Sequence, residues 1–342
     1  MRPDFPCVPA DRDAIGGYFG LEMPAVASPF DAGDAKAFQS ARAAFLALLL
    51  AVRPSAVWMP WFICDSMLEP LSQAGVAVRR YALDDQFHPE PGLQLAAGEC
   101  LLYVNYFGLC ETVEAELRLR FRADRLIFDH AQALFAQRGP AMATLASPRK
   151  FIAAPDGGLL WTTRDVASPQ TVDHGSMGRA AAMLQRAQRG AEAGYAAFQR
   201  AEASLSMQAP RAMSAVTRSM LAACDSQGNA TARRHNFSQL HEALAPFNRL
   251  QLPALGRQVP LCYPLLPTRT LPREVLHRAR VFVPTYWPEL LEPQRAVPAR
   301  ERRWAATLLA LPIDQRIDSA TLQRHLLQPL LAYLATEETV DG

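Results

Sequence analysis

Between residues 56 and 128 the chain alternates short apolar runs with helix-length segments, and this alternation limits its possible folds more than any other feature. Residues 56–60 (AVWMP) and 76–81 (VAVRRY) read as strands on either side of a helix over 67–74. Gly75 ends that helix, because glycine takes the left-handed backbone that a helix terminus needs. Residues 100–106 (CLLYVNY) form a third strand, apolar at most positions, followed by a helix over 112–121 and a strand at 126–128. Strands joined by single helices run parallel, since the helix carries the chain back across the sheet. The fold class expected is therefore α/β, a mostly parallel sheet sandwiched by helices.

The rest of the chain divides around this unit. Residues 1–35 are rich in proline and glycine and read as an N-terminal arm. A large domain spans 36–250. It opens with a helix that starts after Ser40 and runs to Val52, apolar nearly all round and hence buried. A long helix is expected over 180–204, interrupted by Gly190 and Gly194, and mostly helical chain over 211–248. After Pro253 prolines multiply, with strand-like runs at 261–263, 280–283 and 308–311 and a last helix over 319–334. Residues 251–342 are thus read as a smaller C-terminal α+β domain.

Several function classes are disfavoured. A net charge of +2 gives no general electrostatic grip on nucleic acid. The first thirty residues lack the apolar core of a signal peptide, and the longest apolar run, 43–52, is about half a membrane span. The expectation is a cytoplasmic protein with no membrane partner. Six cysteines without a CxxC pair and seven histidines without HExxH spacing point to no metal.

Lysine is nearly absent. Of 35 basic residues only Lys36 and Lys150 are lysines. Lys150 directly follows Arg149, so charge alone does not explain it. Lysine, unlike arginine, can lose a proton and attack a carbonyl. With Phe151, Ile152, Ala153 and Ala154 after it, Lys150 reads as a Schiff-base lysine; the competing reading is a solvated surface lysine. Asp129 follows Leu126, Ile127 and Phe128 at a strand end, where open α/β sheets bind ligands. It is read either as a paired carboxylate or as a cap for the next segment. Gln132 lies three residues on, and Asn105 ends the 100–106 strand in the same way. Ser40, Ala41 and Arg42 begin a buried helix, where free N–H groups can seat a phosphate, or where Ser40 merely caps. Anion seat, strand-end carboxylate and late lysine are the parts pyridoxal phosphate requires. Ser147 and Lys150 also match Ser-x-x-Lys, but the Lys-Thr-Gly element of penicillin-binding enzymes is missing.

In this order the parts resemble the fold-type-I pyridoxal-phosphate enzymes, and within them the DegT/StrS family of sugar aminotransferases. Residues 15–19 (IGGYF) look like that family's IGGxF, 40–48 (SARAAFLAL) like its SGTxALxLAL, and 57–64 like its VxVPxFTF. Residues 128–133 (FDHAQA) are similar to its EDAAQA, 147–158 to its S…K…GDGG stretch, and 311–318 (LPIDQRID) to its C-terminal LPxHPRxT. The Asp-x-x-Gln and Lys…Asp-Gly-Gly motifs are the most specific.

The resemblance implies that Lys150 carries the cofactor and moves the proton, and that Asp129 pairs with the pyridine nitrogen. It also implies Gln132 near the ring and phosphate, Ala41, Arg42 and Ser147 at the phosphate, and Asn105 at the ring hydroxyl. Cys64 stands at the ring-stacking position, with Phe62 and Trp61 nearby. The activity the resemblance implies is transfer of an amino group from an amino acid such as glutamate to a keto sugar, expected to be nucleotide-linked, in polysaccharide or glycoconjugate biosynthesis. Alternatives are a pyridoxal-phosphate enzyme of other chemistry (elimination or decarboxylation) or a non-catalytic nucleotide-sugar-binding homologue. Sugar dehydratases of the family replace the lysine with histidine, so Lys150 opposes that branch. A homodimer is implied, supported by apolar Met183, Leu184, Tyr195 and Phe198. Tyr18, Tyr195, Tyr286 and Trp287 are the expected substrate contacts, although the last two could instead pack the domains together. The family's GxNxR loop is absent, and His130 stands where alanine is usual.

Overall fold

A computed structural model describes residues 17–18, 30 and 35–334. Seven strands form the main sheet: β1 (Lys36–Phe38), β2 (Ala56–Pro60), β3 (Ala77–Tyr81), β4 (Glu99–Val104), β5 (Leu126–His130), β6 (Ala143–Ala146) and β7 (Gly158–Thr162). Their order is β1-β7-β6-β5-β4-β2-β3. Strands β3, β2, β4, β5 and β6 are mutually parallel, whereas β7 runs antiparallel to both β6 and β1. Helices α1 (Ala41–Val52), α2 (Glu69–Ala74) and α3 (Glu111–Arg120) accompany the strands. Every residue of β4, β5 and β6 is buried, as expected of parallel strands covered on both faces.

The chain passes from β2 through α2 to β3 on one side, then returns to place β4 on the other side of β2. The strand order reverses there, and the crevice beyond the carboxyl ends of the strands at such a point is where open sheets bind ligands. Residues 61–64, Asn105, Asp129 and Ser147 all lie at those ends.

Strands β1, β6 and β7 were not anticipated from sequence. They are only three to five residues long, too short for periodicity to register. The long helix expected over 180–204 is two helices, α4 (Ser176–Arg189) and α5 (Ala191–Ala203), separated at Gly190, whose φ of 91° no helix accommodates. They pack so closely that a Cβ on Gly194 would stand 2.8 Å from the Ala182 carbonyl oxygen. Helices α6 (Ala215–Ala222) and α7 (Ser226–Leu244) follow.

Beyond residue 250, β8 (Cys262–Leu265) pairs antiparallel with β9 (Leu309–Pro312), with α8 (Arg273–Arg278) and α9 (Ala299–Thr307) between them. The chain ends in a helical stretch of Ser319–Thr321, a π-helical turn Leu322–Leu327 and Gln328–Leu334. The expected strand at 280–283 does not form. Arg280 has a left-handed φ of 58°, and the Val283 and Pro284 carbonyls accept from Arg273 Nη1 (3.1 and 3.3 Å) rather than from a neighbouring strand. One apolar core runs through both regions, taking in Phe45, Leu102 and Phe128 with Tyr263, Trp304 and Leu330.

Candidate active site

The Asp-Gly-Gly turn explains how the lysine segment is held. A Cβ on Gly158 would lie 2.1 Å from the Ser40 carbonyl carbon, so only glycine lets β7 start against the head of α1. Gly157 N–H donates to the Gln39 carbonyl at 2.9 Å, closing the junction. Asp156 is fully buried and accepts from Ser176 Oγ (2.5 Å), Arg179 Nε (2.8 Å) and Thr217 Oγ1. A buried carboxylate is tolerable only when its oxygens are so occupied. Asp156 thereby ties α4 and α6 to the turn after Lys150.

Lys150 is the last residue of the short turn Pro148–Lys150 and is exposed, not enclosed by the apolar residues after it as the sequence suggested. Its neighbour Arg149 forks onto Glu202 (2.5 and 2.9 Å), whereas no described carboxylate lies within 4 Å of the Lys150 ammonium. The Lys150 charge is felt at two buried groups. Burial raises the Asp129 carboxyl above its ordinary range, and the principal opposing influence is Lys150. Burial likewise raises the Cys64 thiol, again opposed first by Lys150, with Asp129 adding to the rise. Lys150, Asp129 and Cys64, from the ends of β6, β5 and β2, therefore share one electrostatic neighbourhood.

Asp129 Oδ1 accepts from the Ala131 N–H at 2.8 Å, the cap-like bond that sequence allowed for. Its second oxygen accepts from no described residue. Ser147 is buried, and its hydroxyl does not cap the turn it precedes. Cys64 Sγ lies 2.9 Å from Ser66 Oγ. These four residues fit a bound pyridoxal phosphate: an amine, a buried carboxylate with one oxygen to offer a pyridinium, a thiol flank and a hydroxyl for phosphate.

Other expected contacts are placed differently. Ser40 Oγ accepts from the Ala43 N–H (3.1 Å) and so acts as the N-cap of α1, and Ser40 bridges to Gly157. The Arg42 guanidinium turns to Glu69 at 3.4 Å, so at the head of α1 it is the backbone N–H groups of Ala41 and Arg42, those the resemblance implies, that remain for an anion. Asn105 does not reach the crevice. Its Nδ2 donates to Glu114 Oε1 (2.8 Å) and its Oδ1 accepts from the Cys110 N–H (3.0 Å). Gln132 Oε1 accepts from the Phe107 N–H at 2.8 Å. That bond holds a strained turn after β4, where Phe107 and Gly108 both have positive φ (58° and 76°). Phe62 is fully buried in an aromatic cluster, its ring centroid 4.2 Å from Trp287 and 5.2 Å from Trp304.

Trp287 and Tyr286 belong to that cluster and not to a substrate entrance. Trp287 is buried between Phe62 and Tyr106, and Tyr286 stacks on Phe107 and Trp287. Proline-bracketed aromatics suit either role by sequence; here the exposed sheet end needed covering, and burial won. Trp287→Ala is accordingly expected to lower stability by about 3–5 kcal/mol, measured by urea unfolding, rather than to raise an acceptor KM selectively. Tyr18 is 96% exposed, and Ile15, Gly16 and Phe19 of its motif lie outside the described residues. Tyr195 is 59% exposed on α5 and borders a cavity of about 690 Å³ with Phe198 and Phe282; Lys150 does not line it, although Arg186 and Phe198 border both this cavity and the one beside Lys150.

A second cavity, about 580 Å³, does adjoin Lys150. It is bounded by Arg186, Arg233, Asp314, Gln315 and Arg316. Sequence reading singled out residues 311–318 only as a motif; that they wall the lysine cavity appears in the structure alone. Among the described residues no cluster of His, Cys, Asp or Glu could hold a metal, and no helix is long and apolar enough to cross a membrane.

No protein-family model matches this chain, and no curated protein matches it. Solved structures do. A DegT DnrJ EryC1 StrS aminotransferase from Brucella abortus is 15% identical, with 89% of this chain and 87% of that one covered at a TM-score of 0.57. NtdA from Bacillus subtilis, solved with the cofactor PMP, is 15% identical over 88% and 73% at 0.60. The GDP-4-keto-6-deoxymannose-3-dehydratase ColD, with bound GDP-perosamine, is 12% identical over 86% and 88% at 0.61. The seven-stranded sheet with its single antiparallel strand is thus a fold-type-I α/β architecture. More particularly, the chain has the fold of the DegT-type sugar-modifying enzymes along most of its length.

Proposed function

We propose that the chain is a pyridoxal-phosphate-dependent aminotransferase of the DegT/StrS family. It moves an amino group from an amino acid, glutamate being the first candidate, to a keto sugar linked to a nucleotide. The observation that supports this most is that Lys150 and Asp129 lie at the carboxyl ends of the neighbouring parallel strands β6 and β5, where the Lys150 charge opposes the burial of the Asp129 carboxyl. The structural neighbours solved with PMP and with a GDP-linked amino sugar agree with it.

Lys150 would hold the cofactor's aldehyde carbon, Asp129 its pyridine nitrogen, Cys64 one ring face, and Ser147 with the head of α1 its phosphate. When bound, the cofactor supplies an electron sink for the carbon that loses its proton. Lys150 Nζ would take that proton and return it one carbon away. Asp129, as a carboxylate, would keep a proton on the ring nitrogen. Arg186 and Arg233 lend the adjoining cavity positive charge suited to an anionic substrate group, while Arg316 there is paired with Asp314. Retention of Lys150 favours amino transfer over the dehydration catalysed by ColD.

Borohydride reduction followed by peptide mapping should place the pyridoxyl mass on Lys150; label on Lys36, or none, ends this reading. We further propose a homodimer. Met177, Leu184, Tyr195 and Phe198 expose apolar surface on the α4–α5 pair, and such patches favour association. Light scattering should give twice the chain mass at assay concentration, and an active monomer would refute the dimer.

A further inference from the structure

Behind the candidate site lies a buried polar network that the chemistry above does not use. Glu114, on α3, is fully buried. It lies 2.7 Å from Arg118 Nη2 and 2.8 Å from Asn105 Nδ2, both donors to it. His130 Nε2 stands 2.6 Å from Glu114 Oε1, close enough to donate a third bond. His130 is the last residue of β5 and is itself buried; Asn105 is the first residue after β4. One carboxylate therefore fastens the ends of the two adjacent strands that border the crevice. A third link closes the figure, because the Asn105 N–H donates to the Asp129 carbonyl at 3.0 Å.

Successive residues of a strand point to opposite faces. Asp129 and His130 are successive, so pulling His130 toward α3 presents the Asp129 carboxylate to the other face, toward Lys150. Among the described residues Asp129 has only the Ala131 N–H to orient it. A carboxylate held by one bond needs its backbone fixed if it is to meet a ring nitrogen within a few tenths of an ångström. Arg118 adds a cation 2.7 Å from the buried Glu114, and it packs 4.6 Å from the Phe128 ring centroid on the same strand as His130.

We propose that His130 is a positioning residue for Asp129, acting through Glu114 and not through contact with cofactor or substrate. The proposal rests on the pyridoxal-phosphate reading of the site. It assigns a role to a side chain that the family resemblance leaves without one.

The test compares His130→Ala, which deletes the donor, with His130→Gln, whose amide nitrogen can occupy the place of Nε2. Cofactor-free protein is titrated with pyridoxal phosphate, and the visible band of each complex is followed against pH. His130→Ala should weaken cofactor affinity at least tenfold and move the midpoint of the band's pH titration. His130→Gln should restore both to within about threefold of the parent. Leu330→Ala, in the C-terminal helix, serves as a core control that lowers the melting temperature without moving either readout. The proposal is overturned if His130→Ala behaves like Leu330→Ala, or if His130→Gln fails to restore while remaining folded. Should the parent protein itself bind no pyridoxal phosphate, the site reading fails, a result distinct from either. If His130→Ala does not fold, Asn105→Ala, which cuts the same carboxylate from the β4 side, must show the affinity loss or the proposal falls.

Discussion

Lys150→Arg is expected to remove the visible absorbance of the reconstituted protein and to cut turnover by about 10²–10⁴-fold from lost proton transfer alone. The substitution is chosen because it keeps the charge. Asp129 and Cys64 both respond to the positive charge at position 150, so an arginine leaves their electrostatic surroundings nearly intact. What it cannot do is deprotonate and attack a carbonyl. Position 150 is exposed, and exposed substitutions usually change stability by less than about 0.5 kcal/mol. The melting temperature of the cofactor-free protein should therefore stay where it was. Three measurements on one sample decide the matter: thermal unfolding, an absorbance spectrum and single-turnover amino transfer. A variant that keeps its absorbance band and its transfer rate would show that Lys150 is only a solvated cation. Lys36 would not rescue the assignment, since it opens β1 at the far edge of the sheet.

Much of this arrangement was legible in the sequence, and for identifiable reasons. In β4 and β5 the apolar runs 100–104 and 126–128 are each followed directly by a polar residue, Asn105 and Asp129. Asp129 stood out because a polar residue after an apolar strand is costly unless it has a task, whereas Ser147 was marked only by its spacing to Lys150 and by the resemblance, since the strand before it was not foreseen. Lys150 stood out because arginine elsewhere supplies nearly every positive charge. Asn105 satisfied the same pattern and was misread: its amide is taken up by Glu114 and the Cys110 N–H, partners on α3 that no local pattern reveals. Trp287 failed for a related reason. Whether an aromatic loop covers a core or lines a cleft depends on what stands opposite it, here Phe62 and Tyr106 from distant sequence. Strand β7 escaped because its direction is set by pairing with β6 and β1, a tertiary matter. Its dependence on Gly158 was visible as a motif, but the 2.1 Å approach that explains the glycine was not.

Asp129→Asn is expected to separate function from stability in opposite directions. Asparagine keeps an oxygen for the Ala131 N–H, so the local turn survives. It removes the negative charge that would hold a proton on the cofactor ring, and turnover should fall by about 10²–10³-fold, the scale of losing one organised electrostatic contact in a water-poor site. In the cofactor-free protein the same charge is a burden. Burial, the largest influence on Asp129, raises its carboxyl above the unfolded value despite the opposing Lys150. An acid whose folded pKa lies above its unfolded one favours the folded state while protonated. Stability from this group is thus greatest below an unfolded pKa of about 3.9, and it declines as pH rises through the raised folded value. The penalty grows as the carboxyl ionises, and asparagine removes it. Urea unfolding of the cofactor-free variant should therefore show stability equal to or above the parent at pH 7, with the difference shrinking toward pH 4. Adding cofactor should reverse the order, because only the parent carboxylate gains a cationic partner. If Asp129→Asn instead lowers stability at pH 7 without cofactor, the carboxylate is a structural cap; if it transfers amino groups at the parent rate, the ring nitrogen has no partner at position 129.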